Sequence, residues 1–218
     1  GELELDLTGT GMKVSGTATI LGARAQVRVE ENFVEGTGIR TREWIKTQIG
    51  PVGLADLGFD LRERMTGTTE ATVDRETTWA GETLLSIEAD LGSTGFKVPE
   101  LNWEKHEDTA GVVRAELTLS NGVPQLLRSL EFIAGEMAVN ASADFDGKGV
   151  FQTADISQLR FGRTRAAGRV ERLQDAGWRA TLSGPVIDLT PVLAARDDTE
   201  QASELHIEAR FFADELIL

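Results

Sequence analysis

Apolar side chains recur at every second position along most of this chain, and no other feature limits the possible folds as strongly. The alternation is clearest over residues 12–20, 23–29, 113–119, 137–145, 178–182 and 205–211. Successive side chains of a β-strand point to opposite faces of a sheet, so each run predicts a strand with one apolar and one polar face. The sequence therefore predicts an all-β fold.

Residues that tolerate positive φ fall between these runs and predict tight turns. They occur at 36–38, 121–122, 146–147 and 175–177. Because such turns join antiparallel neighbours, we expect a long antiparallel sheet.

One segment inside this pattern is open to two interpretations. In 124–133, Pro124 suits the first position of a helix, and the apolar residues that follow share one helical face. The same segment also fits a strand that begins at Arg128, and the pattern does not separate the two.

A short helix is also expected near the end of the chain. Asp188 interrupts the preceding strand pattern, and Thr190 is suited to cap a turn of helix over 191–195. We interpret Asp188 as a turn residue that accepts backbone N–H bonds, in preference to a residue that binds a ligand.

An antiparallel sheet of many one-sided strands, with so few helices, must cover its apolar face in some way. It can close into a barrel, fold over as a sandwich, or bend into a groove that holds an apolar ligand. Periodicity alone favours the closed cores, because sheets usually bury their apolar faces on themselves.

Charge and composition narrow the function. The chain has 22 Lys and Arg against 36 Asp and Glu, a formal net charge of -14, which repels the phosphate backbone and makes nucleic acid an unlikely partner. There is no Cys, so disulfides and thiolate metal sites are excluded. No apolar stretch is long enough for a membrane helix.

No group of residues forms a recognisable catalytic or metal-binding motif. His106, beside Glu107 and Asp108, lacks the spaced second histidine of a zinc site, and His206 lies on the polar phase of its strand. Asn140 begins a glycosylation-like triplet, which is frequent by chance. The sequence therefore predicts a non-enzymatic protein without a cofactor.

Two stretches carry a resemblance to a known family. The segment LNWEK at 101–105, followed by Gly111 and the strand 113–119, is similar to a segment of AsmA-like proteins, particularly the YhdP-type members. The opening LGFDL at 57–61 resembles a strand opening of the same family.

The second stretch lies further along the chain. Residues 154–172 and then 177–193 resemble the recurring family pattern of Gly-Trp, an apolar-x-Gly corner, and an apolar-Asp-x-x-Pro ending. The similarity covers roughly residues 50–218, and we expect residues 1–218 to form one segment of a longer protein. The apolar run at 216–218 also suggests that the chain continues.

The resemblance implies a strongly bent, taco-like or jelly-roll-like sheet that guides phospholipids between the inner and outer membranes of a bacterial envelope. It implies a periplasmic location, an inner-membrane anchor outside this segment, and acyl chains, flanking segments and other envelope proteins as partners. An envelope scaffold with a filled core and a protein-binding surface is the alternative. The groove-lining residues expected from the apolar phase are Val139, Ala141, Ala143, Phe145, Trp178, Ala180, Leu182, Ile207, Ala209 and Phe211.

Overall fold

The computed structural model describes residues 1–20, 22–36, 38–56, 59–173, 177–197 and 207–218. Strands make up 70% of the chain and helices 7%, which confirms the all-β prediction. In chain order the elements are β1 (Glu2–Leu7), β2 (Gly11–Ile20), β3 (Ala23–Asn32), β4 (Ile39–Ile49), α1 (Pro51–Asp56), β5 (Met65–Gly67), β6 (Thr69–Thr78), β7 (Glu82–Asp90), β8 (Thr94–Val98), a 3-10 turn (Pro99–Leu101), β9 (Trp103–Lys105), β10 (Gly111–Ser120), β11 (Val123–Ala134), β12 (Met137–Phe145), β13 (Phe151–Phe161), β14 (Thr164–Arg172), β15 (Trp178–Asp188), α2 (Thr190–Asp197) and β16 (Ile207–Ile217).

Thirteen strands form one sheet that follows the chain order from β1 to β16 and omits β5, β8 and β9, which form a separate sheet of three. From β1 to β15 every neighbouring pair is antiparallel, whereas β16 runs parallel to β15. The prediction of a wholly antiparallel sheet is therefore wrong for the last strand. A parallel neighbour requires a crossover rather than a hairpin, and residues 189–206 separate β15 from β16 in the sequence.

The β10–β11 turn has the predicted hairpin geometry. Asn121 and Gly122 both have positive φ, 50° and 82°, as the two central residues of a type I′ turn require. Ser120 and Val123 are the paired residues on either side of it.

The helix considered for 124–133 is wrong, because β11 continues through the whole segment. The pairing of β10 with β11 shifts register here, so that Leu117 pairs with Leu127 and Ala115 pairs with Leu130. Three residues along β11 are thus matched by two along β10. Both leucines therefore stay on the same face although they are three residues apart. This bulge produces the helix-like spacing that the sequence shows.

The other turns are partly described. Asp146 accepts the N–H groups of Lys148 at 2.8 Å and Val150 at 2.9 Å, which closes the predicted β12–β13 turn and lowers the pKa of its carboxyl group. Thr37 and residues 174–176, in two other predicted turns, lie outside the described residues, as do Leu57 and Gly58.

The expected helix after Asp188 is present as α2, but its cap differs. The N–H of Thr190 donates to the Asp188 carboxylate at 3.0 Å, and the first helical bond runs from Leu193 N–H to Leu189 C=O at 2.9 Å. Thr190 is thus the first helical residue, and Asp188 satisfies its N–H. Hydrogen bonds from the Thr190 side chain and backbone lower the pKa of Asp188.

We call α1, the three-stranded sheet, the 3-10 turn and α2 the cap, because they lie together at one end of the long strands. Trp103 of β9 contacts Phe132 of β11 edge-on, with ring centroids 6.5 Å apart. Buried side chains at this end include Ile49, Leu91 and Ile187. Much of the buried apolar core of the protein therefore lies at the cap end of the strands.

The cap also indicates that the large sheet is bent. The helix α2 follows β15, yet it packs against the 3-10 turn that lies between β8 and β9. A flat sheet would hold β10 and β15, which are five strand steps apart, about 24 Å from each other. Contact between elements attached to such distant strands supports the predicted bend.

Lys105 joins the cap to the large sheet. It is 2% exposed, and its Nζ donates to the carbonyl oxygens of Leu91 at 2.6 Å, Thr94 at 2.6 Å and His106 at 3.2 Å. Burial lowers the pKa of its ammonium group, against the opposing effect of nearby carboxylates such as Asp108. The ammonium thus ties β9 to the turn that follows β7.

Replacing this buried donor should loosen the cap. Lys105→Met leaves three carbonyls without their donor and is expected to lower the free energy of unfolding by about 1–3 kcal/mol. Lys97→Met, which removes an exposed ion pair with Glu104 on the neighbouring strand, is the matched control and should cost under about 1 kcal/mol. Urea unfolding measures both, and equal losses would contradict this role for Lys105.

Candidate functional site

One unbroken row of apolar side chains and glycines crosses the entire large sheet. Each member is the registered partner of the next, so all lie on the same face. From β1 to β16 the row is Leu3, Gly16, Val27, Ile45, Val73, Ile87, Ala115, Leu130, Ala141, Ile156, Gly168, Leu182 and Phe211. We call the surface that contains this row the apolar face.

A second, parallel row strengthens the apolar face over the last strands. Ala143, Ala154, Val170, Ala180 and Ala209 are consecutive partners from β12 to β16. The structure places the residues predicted to line a groove on this one face, on β12 and on the adjacent strands β15 and β16. Those residues are Val139, Ala141, Ala143, Phe145, Trp178, Ala180, Leu182, Ala209 and Phe211. The backbone of Ile207 pairs with Trp178, and the side chain of Ile207 lies outside the described part of the chain.

Sequence reasoning missed the members of the row on β4, β6 and β7. Ile45, Val73 and Ile87 belong to it, but threonines and charged residues dilute the alternation around them. Phe151 was also missed, because a register shift separates it from the rest of β13. Only the pairing of each strand with its neighbours reveals these positions.

Aromatic rings mark the apolar face at the end of the strands away from the cap. Phe151 contacts Phe145 at a centroid distance of 6.1 Å in an edge-on arrangement, and Trp178 at 5.2 Å. Such pairs add to the burial energy of the rings themselves. They hold β12, β13 and β15 together without help from the cap.

Gly168 shows how closely the side chains of the apolar face lie on the backbone. A Cβ atom built at this position would approach the carbonyl oxygen of Thr181 to 2.1 Å and the Leu182 side chain to 2.7 Å. A glycine inside a strand often marks such a close approach. The Leu182 side chain therefore lies directly over the glycine.

The opposite surface, which we call the polar face, is crossed by ion pairs between neighbouring strands. These pairs are Lys13–Glu30, Arg42–Glu76, Lys46–Glu70, Arg114–Glu88, Arg114–Glu131, Arg169–Asp155 and Arg179–Glu208. Exposed pairs contribute little stability each. Their main consequence is that one face is predominantly charged and the other predominantly apolar.

The apolar face is not uniform near β4 to β7. Glu43 and Arg75 lie on it as registered partners and form an ion pair at 3.0 Å. Thr77 and Thr83, further from the cap, share a hydrogen bond of 3.0 Å. These polar residues lie on the side of the row away from the cap, and Thr47 and Thr69 lie on its cap side.

The apolar face is only partly shielded from solvent: within its row Val27 and Ala115 are buried, Leu3 is exposed, and the other members are half-buried. The accessible surface is 13,599 Å², whereas a compact monomer of this mass exposes about 9,800 Å². The sheet does not close on itself, since β1 and β16 are both edges. On β1, Leu3, Leu5 and Leu7 remain more than half exposed. A closed barrel is therefore excluded for the described strands, and the surface area argues against a filled sandwich.

Open crevices occur on the polar face. One of about 850 Å³ crosses from β6 to β14 and is lined by residues such as Asp74, Ser86, Glu116, Ser129 and Asp155. Three smaller crevices open on the same face. The apolar face is thus a broad surface and the polar face a corrugated one.

The residues considered for other chemistry lie apart from both surfaces or serve structural roles. His106 is exposed in the cap, with its Nδ1 3.6 Å from Glu104. Asn140 donates to the side chain of Gln158 on the polar face, and His206 lies outside the described residues. Among the described residues, no group of three His, Cys, Asp or Glu side chains is placed to hold a metal ion.

Comparison with protein-family models, with curated proteins and with solved structures found no match to this chain. None of the described helices has the length and apolar character needed to cross a membrane. The features that distinguish this chain are its open thirteen-stranded sheet and the apolar face of that sheet.

The assignment of the two faces can be tested with a pair of adjacent substitutions. Ala180→Asp places a carboxylate between Val170 and Ala209, where it has no partner, and should cost about 1–3 kcal/mol. Thr181→Asp places it between Arg169 and Arg210, so we expect a change within about 0.5 kcal/mol. Urea unfolding provides the comparison, and equal losses would mean that the strand phase is reversed.

Proposed function

We propose that this chain is a non-enzymatic, lipid-binding segment of an AsmA-like, bridge-type lipid-transfer protein of the periplasm. Its role is to guide phospholipids between the inner and outer membranes. The observation that carries the proposal is the unbroken apolar row across all thirteen strands of the large sheet, on a face that is only partly buried.

The dimensions of the row suit acyl chains. Thirteen strands spaced about 4.8 Å apart give a path of roughly 58 Å. The acyl chains of one leaflet span about 15 Å, half of a bilayer core of about 30 Å. The path is therefore several acyl-chain lengths long, so a lipid can move along it without leaving an apolar surface.

The energetics favour sliding over tight binding. Each CH₂ group removed from water contributes about 0.8 kcal/mol, and aliphatic side chains hold an acyl chain without specific polar contacts. The row presents an apolar residue or glycine at every strand step. A chain that leaves one strand thus meets an equivalent surface on the next, which keeps the barrier to movement low.

The opposite face is unsuited to acyl chains, and this asymmetry favours a one-sided conduit. Its ion pairs, such as Arg114–Glu131 at 2.7 Å, would lose hydration under a hydrocarbon chain. In water these charged groups keep both their hydration and their ion-pair partners. The polar face therefore keeps the sheet soluble while the apolar face carries lipid.

The motifs that resemble the AsmA-like family occupy defined structural positions, which supports the assignment. Trp103 and Lys105 join the cap to the large sheet, and a Cβ atom at Gly111 would lie 3.0 Å from the Lys105 side chain. Gly184 and Asp188 mark a register shift and the end of β15. The first motif thus builds the cap, and the second shapes the last antiparallel strand.

A photo-crosslinking residue placed on either face tests the proposal. We expect Val139, Ala180 and Ala209, on the apolar face, to yield phospholipid adducts when the purified chain is incubated with phospholipid vesicles. Asn140 and Thr181, one position along the same strands, are the matched controls and should yield several-fold fewer. Mass spectrometry of the irradiated protein identifies the adducts.

The outcomes separate the proposal from the scaffold alternative. Adducts in equal yield on both faces, or on neither face of a folded protein, would contradict a lipid conduit. Crosslinks from the apolar face to an envelope protein, without lipid, would favour the scaffold.

A further inference from the structure

Two arginines on the polar face stand directly opposite each other on neighbouring strands. Arg160 of β13 and Arg165 of β14 are registered partners. They alternate with Leu159 and Ala166, a pair on the apolar face, so both belong to the polar face. Like charges placed directly opposite destabilise a sheet.

This pair differs from the opposite-charge pairs that cross most of the polar face. Nearby, Arg169 lies opposite Asp155 with a contact of 2.8 Å, and Arg114 lies beside Glu131 at 2.7 Å. Glu70 and Asp90 also lie opposite each other, but Glu70 forms an ion pair with Lys46 at 2.7 Å. In the described part of the chain, neither Arg160 nor Arg165 has a carboxylate within ion-pair distance. Among the described residues, no carboxylate forms an ion pair with either guanidinium group.

The two side chains line a crevice of about 280 Å³ between β13, β14 and β15, together with Ser157, Ser183 and Pro185. No carboxylate lines this crevice, whereas the three larger crevices of the polar face each contain at least one. In a chain with a net charge of -14, a carboxylate-free crevice with two guanidinium groups is a local exception that favours an anion.

The hydrogen bonding of the two arginines leaves donors for a ligand. The Nε of Arg160 is buried and has no hydrogen-bond partner. One terminal nitrogen of Arg165 donates to the carbonyl oxygens of Gly162 at 2.6 Å and Thr164 at 2.7 Å. Each guanidinium has five N–H donors, so one side chain is held in place while donors on both remain unused.

The backbone is irregular on all sides of this crevice. The pairing shifts register between Asn140 and Ala141 on β12, between Ile156 and Leu159 on β13, and between Arg165 and Ala167 on β14. Bulges redirect side chains and are frequent beside binding sites. Three successive strand pairs shift register near this crevice, which changes the direction of the side chains around Arg160 and Arg165.

We infer that Arg160 and Arg165 form a binding site for a phosphate group. Guanidinium groups bind phosphate through paired, charge-assisted hydrogen bonds, and an anion between them turns a repulsive pair into a stabilising arrangement. The size of the crevice suits a phosphate or a small phosphomonoester. The site lies on the opposite face from the proposed lipid path, so a headgroup whose acyl chains lie on the apolar face cannot reach it.

Thermal unfolding of the whole chain in inorganic phosphate, against sodium chloride at equal ionic strength, tests this site. Phosphate stabilises folded proteins in general through exclusion from their surface, so the readout is the difference between variants. We expect Arg160→Gln to weaken the saturable, phosphate-dependent rise in Tm at least about tenfold in apparent affinity. Arg169→Gln, which removes an ion-paired arginine from the same face, should respond as the wild type does.

The phosphate-free condition gives an independent readout. Arg160→Gln keeps most of the side-chain stem and removes one of two opposed charges, so we expect its Tm without phosphate to equal or exceed that of the wild type. An equal response of the wild type and Arg160→Gln to phosphate would overturn the inference.

Vesicle sedimentation distinguishes the two sources of a phosphate group. If the ligand is a lipid headgroup at a membrane surface, vesicles of phosphatidylglycerol and phosphatidylcholine will sediment the wild type more than Arg160→Gln. If the ligand is a soluble phosphate compound, the two proteins will sediment equally while their Tm responses differ. This test does not depend on the lipid path, because crosslinking at Ala180 reports on that path separately.

Discussion

The register of the backbone ladders is the constraint on which this protein depends. Side chains alternate between faces with a period of two, so a slip of one residue in any strand would send its apolar side chains to the polar face. The ladder is not perfectly regular, and register shifts occur in several pairs. Between Leu127 and Leu130 the shift keeps both side chains on the apolar face. The bulges therefore preserve the row from Leu3 to Phe211.

Two regions of the structure contribute to its stability in different ways, the cap and the long strands. At the cap, side chains such as Ile187 and Thr94 are fully buried, and the Lys105 ammonium binds three carbonyls. Elsewhere the long strands are held by their backbone hydrogen bonds, by side-chain contacts within one face, and by aromatic pairs such as Phe151–Trp178. A sheet with an open apolar face relies on such a cap, because its core cannot form between two layers.

The two faces give the molecule two kinds of surface for ligands. The apolar face is broad, continuous and without polar groups along its central row, which suits mobile hydrocarbon chains. The polar face is corrugated, and Arg160 and Arg165 lie opposite each other on it in a crevice that no carboxylate lines. The sheet itself separates the surfaces, so a ligand on one face does not compete with a ligand on the other.

The sequence alone determined the strands with clear alternation and the phase of residues such as Ala141 and Ala180. It also determined the Asn121-Gly122 turn and the helix after Asp188, because each of these features depends on near neighbours in the chain. Only the tertiary structure decided the parallel direction of β16, the strand at Val123–Ala134, the burial of Lys105, and the pairing of Arg160 with Arg165. Alternation states which residues share a face within one strand. It does not state which strand lies beside it, or where a bulge shifts the register, because both depend on hydrogen bonds between residues distant in the chain.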